Sequence, residues 1–162
     1  MEPTDTLILF SEISVALAGF TGIVVTIGKS NNPVSNIRIQ VAVLGSLQVL
    51  LFSIAPILFL TAMSSEKLAW QVASLTHLAF IVLYYLMHLP DVKMFLREGS
   101  VVEKLFIAGD FCASIALAIN GLGFNTWDLA AVYLIVLSWI LFQASFQFYV
   151  SVESLWKGND NA

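Results

Sequence analysis

Residues 102–120 read VEKLFIAGDFCASIALAIN, and the fold turns on whether this stretch crosses a membrane. Its length fits, since a membrane-spanning helix needs about 20 mostly apolar residues, within a range of about 17–25. Asp110, near its middle, speaks against it: an ionisable side chain at the bilayer centre costs roughly 2.5–3.5 kcal/mol on insertion scales. Four other stretches meet the length criterion, at about 6–27, 37–63, 68–89 and 128–152. The first ends at Gly28 before a polar linker at 29–33, and the third stops at Pro90.

Charge placement decides the matter. Lysine and arginine gather in cytoplasmic loops, whereas acidic residues count for little. Five crossings with the N-terminus outside put Lys29, Arg38, Lys93, Arg97, Lys104 and Lys157 inside and leave only Lys67 outside. Reading 102–120 as a loop would turn the last crossing round, move Lys157 outside and strand a long apolar linker with no aqueous home. The sequence therefore predicts an all-α polytopic membrane bundle, a single transmembrane domain over 1–162, with five crossings and a cytoplasmic C-terminus. Residues 91–98, with clustered apolar side chains flanked by charges, add a short helix lying at the inner surface. The acidic start, Met1-Glu2-Pro3-Thr4-Asp5, lacks the basic region of a secretory signal, so the first apolar stretch is expected to be retained. A bacterial inner membrane is the expected location.

Composition points the same way and excludes several functions. Of 162 residues, 59% are hydrophobic and 11% charged, with a mean hydropathy of +0.88. Soluble domains carry about 45–50% apolar and about 25% charged residues, so water is the wrong solvent for this chain. A net charge of −4 leaves no basic surface for nucleic acid. The lone Cys112 rules out an internal disulfide and a dithiol site. His77 and His88 lie in one segment, roughly 16 Å apart along a helix, too far to ligate one haem together. No cofactor or metal is expected. Nor is an enzyme, because His77, Asp110 and Ser114 form the one conceivable catalytic trio and match no nucleophile motif.

The polar residues inside crossings carry the functional reading, since they must face protein or water. Glu12 sits about a turn into the first crossing and Asp110 midway along the fourth. In the third, Trp70, Ser74, His77, Ile81, Tyr84 and His88 follow the rhythm of one helix stripe. Glu12, His77, Tyr84 and Asp110 are the candidates for a pore or proton path. Comparable depths predict a His77–Asp110 hydrogen bond.

Small residues predict helix packing or subunit contact: Ser14, Ala18 and Gly22 (continuing to Thr26) in the first crossing, Gly109 and Ala113 in the fourth. Ala42, Ser46 and Ser53 give the second crossing a low-relief face, and Pro56 should bend it. In the fifth, Gln143 and Gln147 lie side by side next to an aromatic stripe of Trp139, Phe142, Phe146 and Tyr149, read as an interfacial anchor. The expected function is a homo-oligomeric ion- or proton-conducting channel or small transporter, its polar residues facing a subunit interface or pore. The alternative is a non-conducting accessory or scaffold subunit of a larger membrane complex. Expected partners are the lipid bilayer, further copies of the chain and other membrane subunits.

Overall fold

The computed structural model describes residues 2–27, 33–124 and 127–159, and the side chains of these except at 25–27, 33–36, 91 and 154–159. Six helices follow in order: α1 (Pro3–Ile27), α2 (Pro33–Ala62), α3 (Glu66–Met87), α4 (Leu89–Glu98), α5 (Val101–Leu122) and α6 (Leu129–Asn159). Five of them, all but α4, are long and apolar enough to cross a membrane. The doubtful stretch 102–120 is α5, a full-length span like the rest. Two of the lysines used to orient the chain, Lys29 and the side chain of Lys157, lie outside the described residues.

Local chemistry sets the boundaries. Ser65 caps α3 by accepting the Leu68 N–H. At α5, Ser100 and Glu103 form a reciprocal capping box, each side chain taking the other's backbone N–H. Gly123 closes the same helix at φ +77°, a left-handed conformation that glycine adopts without strain. Pro90 does not end α3. That helix stops at Met87, and Pro90 lies in the first turn of α4, where its missing N–H has no partner to lose.

Helix α6 touches α1, α2, α3 and α5, so it forms the centre of the bundle. Helix α2 packs between α1 and α6, and α3 pairs with α5 on the other side. Helix α1 is peripheral: 17% of its apolar stretch is buried, against 39% for α6.

Burial is inverted relative to a water-soluble fold. Ser14, Thr21, Ser46, Ser53, Ser74, His77, Asn120, Gln143 and Gln147 are buried, while Phe20, Leu58, Leu83, Phe111 and Ile135 are exposed. Lipid explains this, because tails solvate apolar side chains and leave polar ones to find partners inside. Hydroxyls of Ser14, Thr21, Ser46 and Ser74 donate to the carbonyl four residues back, at 2.6–2.8 Å. Asn120 joins three helices by donating to Ser74 Oγ at 2.8 Å and the Leu129 carbonyl at 3.0 Å.

Pro56 is resolved through α6. Proline has no N–H to offer the carbonyl of Phe52, four residues earlier. That carbonyl instead accepts the Tyr133 hydroxyl at 2.8 Å, and both Pro56 and Tyr133 are buried. The residue read as a bend is thus part of a tie between α2 and α6.

Candidate functional site

The α4 end of the bundle holds a partly open cavity of about 110 Å³ between α2, α3, α5 and α6, with Val92 and Phe95 of α4 along its edge. Helical spacing builds its walls. Helix α5 turns Glu103, Phe106, Ile107 and Asp110 to one side, and α6 answers with Ile140, Gln143, Ala144 and Gln147. Helix α2 contributes Gln40, Leu44 and Gln48, and α3 contributes Phe80, Tyr84, Tyr85 and His88.

Asp110 is the most heavily engaged side chain there. Its Oδ1 accepts Gln143 Nε2–H at 2.6 Å and Trp139 Nε1–H at 3.0 Å, and its Oδ2 meets the Tyr85 hydroxyl in a short hydrogen bond. The Gln143 amide also donates to the Phe106 carbonyl at 3.2 Å. Gly109 makes this possible: a Cβ at that position would overlap the Trp139 ring, so only glycine lets the indole lie against α5. No cationic side chain pairs with Asp110 among the described residues.

Glu103 is the second acid, 3% exposed, and it is compensated. Its Oε1 accepts Arg38 Nε–H at 2.7 Å and its Oε2 accepts the Ser100 N–H at 2.7 Å. Gln147 is 4% exposed, and its Oε1 has no hydrogen-bond partner. A buried acceptor left in this state is unusual.

His77 stands behind the cavity wall. Its Nε2 lies 3.0 Å from Gln48 Nε2, its ring stacks on Phe52 at 4.1 Å, and Tyr133 meets it edge-on. The expected His77–Asp110 bond is therefore absent. Asp110 bonds Tyr85 instead, about 12 Å further along α3 at 1.5 Å per residue. His77 faces α2 and α6, while Asp110 lies about two turns of α3 further along and faces α3 and α6, so the two share neither depth nor face. The trio with Ser114 does not assemble either, because Ser114 Oγ donates to the Asp110 backbone carbonyl at 2.8 Å.

The other expected residues divide. Tyr84 lines the cavity with Asp110. Glu12 is exposed on α1, and neither it nor His77 lines that cavity. Ser14 is buried, Ala18 is half-buried, and Gly22 is exposed with open space where a Cβ would stand. Steps of four residues drift round a 3.6-residue helix, and the inward face of α1 is Leu7, Ser14 and Thr21. Thr26 lies outside the described side chains. Gly109 and Ala113 do pack inside, and Gln143 and Gln147 both reach the cavity. Trp139, Phe142 and Phe146 clasp Phe106 of α5 with ring centroids 5.2–6.0 Å apart, so three of the four stripe aromatics serve helix packing.

Sequence reasoning missed Tyr85, Gln40 and the Arg38–Glu103 pair as parts of one site. Ser100 followed three residues later by Glu103 was a capping signal on the page. Nothing comparable marked Tyr85 over Tyr84. Among the described residues, no group of three or more His, Cys, Asp or Glu side chains gathers as a metal site would require. Comparison of the chain with protein-family models, with curated proteins and with solved structures gives no match in any of the three.

Proposed function

We propose that this multi-pass membrane protein is a small transporter that carries a proton or small cation, with Asp110 as the exchanging group and the α4-end cavity as its stopping point. The hydrogen-bond arrangement of Asp110 carries the reading. Oδ1 meets two N–H groups that can only donate, whereas Oδ2 meets a hydroxyl able to donate or accept. Ionised, the carboxylate accepts from all three. Protonated on Oδ2, it donates to the Tyr85 oxygen and keeps both N–H bonds at Oδ1. Asp110 keeps all three partners in both charge states, the Tyr85 hydroxyl proton turning into the cavity it lines when the acid is protonated, a property useful for exchange and superfluous for packing alone.

The path supported by these contacts lies within one protomer, between α2, α3, α5 and α6, rather than along a subunit axis. The α4 end belongs on the cytoplasmic side of a bacterial inner membrane in this proposal, because exposed Lys93, Arg97 and Lys104 gather there and Lys67 lies at the other end. The role is that of a carrier, not an enzyme. Purified protein in liposomes holding a pH-sensitive dye should admit protons under an imposed potential, and Asp110→Asn should fall to the rate of empty vesicles. Equal flux in that variant would end the proposal.

One observation favours the accessory-subunit reading. Helix α1 is the least covered span, and a Cβ at Gly19 on it would meet open space, room for a helix of another copy or another subunit. A fixed partner co-purifying from native membranes, lost on Gly19→Leu, would support it; a lone monomer would count against it.

A further inference from the structure

We infer that the occupant of the cavity is a small alkylammonium ion of a few heavy atoms. The inference rests on the transporter reading and narrows it to a class of solute. Size comes first. A volume of about 110 Å³, beside the roughly 150 Å³ of an apolar cavity that takes a benzene-sized guest, suits a solute of a few heavy atoms.

The groups left over then state what is wanted. Gln147 Oε1, buried and unpartnered, is an acceptor in need of a donor. Glu103 has its cation in Arg38, but Asp110 holds only neutral donors and faces the same space. One uncompensated carboxylate and one vacant amide oxygen repel an anion and receive an N–H-bearing cation. His88 and Tyr84, also in the lining, already hold interactions of their own. The walls finish the description. Phe80, Tyr84, Tyr85, Phe95 and Phe106 line the space with aromatic rings, a surface suited to an ammonium group and its alkyl part. The aromatic lining favours an alkylammonium over an alkali ion, which has no alkyl part for those rings to cover.

Calorimetry on the full-length protein in detergent tests this with methylammonium chloride as the probe, against sodium and potassium chloride at equal ionic strength and methanol as a neutral analogue. The expected result is saturable one-to-one methylammonium binding, with no saturable heat from the other three. Asp110→Asn should weaken it by about 10–100-fold and Gln147→Met by about tenfold, the range for lost hydrogen bonds to charged and neutral groups. Tyr149→Phe, at an exposed position on α6, should bind as the parent does. Gln147→Met removes an unsatisfied acceptor and should fold at least as well as the parent, so it reads the site even if Asp110→Asn does not fold. Absence of saturable methylammonium binding overturns the inference, as do undiminished binding in Gln147→Met and equal binding of sodium or potassium. Binding without flux in liposomes would end the transporter reading and keep the site; proton flux without methylammonium binding would do the reverse.

Discussion

Replacing Tyr133 by phenylalanine removes one hydroxyl and keeps the ring that packs against Trp70 and His77. The loss falls on the Phe52 carbonyl, which accepts that hydroxyl at 2.8 Å and which Pro56 cannot serve. An orphaned buried acceptor costs about 1–3 kcal/mol, whereas bonds between membrane helices average nearer ~0.6 and reach ~1.7 kcal/mol. Tyr133 is fully buried and the carbonyl has no helical donor at position 56, so the expected cost lies at about 1–2 kcal/mol. The decisive comparison repeats the change in a Pro56→Ala background. Alanine supplies the missing N–H, the helix closes its own bond to Phe52, and the same Tyr133→Phe change should then cost under about 0.5 kcal/mol. Unfolding of the four variants by sodium dodecyl sulfate in mixed micelles, followed by far-ultraviolet circular dichroism, gives the cycle. An identical Tyr133→Phe cost in both backgrounds would refute the tie between α2 and α6.

Gly109→Ala should destabilise by about 1–3 kcal/mol through overpacking and shift tryptophan emission, because the Trp139 indole must leave Asp110; unchanged emission would contradict that packing. Arg38→Ala strands the buried Glu103 carboxylate; breaking a sealed pair costs about 3–5 kcal/mol, and the 23% exposure of Arg38 lowers this to about 2–3 kcal/mol. Adding Glu103→Gln should recover most of the loss in the same unfolding assay. Glu12→Gln should change neither proton flux nor stability, since Glu12 is exposed on a helix outside the cavity.

The span pattern was legible because length and apolarity alone specify a membrane helix, and α5 kept its place despite Asp110. Asp110, His77, Gln143 and Gln147 turn inward, as polar side chains avoiding lipid should, whereas Glu12 is exposed on α1. Partner choice was not legible. Periodicity gives each helix a polar face, but which face meets which depends on rotation and stagger between helices, and those are set by packing across the whole bundle. His77 accordingly found Gln48, and Asp110 found Tyr85. Long-range compensation was invisible for the same reason. Pro56 and Tyr133 are joined only by the fold, and so are Gly109 and Trp139.

Exchange at Asp110 requires a polar interior that holds something other than protein. A density map of the protein in lipid nanodiscs, fine enough to show ordered solvent, tests this most directly. Asp110 should stand among Tyr85, Trp139 and Gln143, with density for solvent or solute reaching Gln147. An Asp110 side chain turned toward the acyl chains, or a cavity closed by side chains alone, would contradict the account.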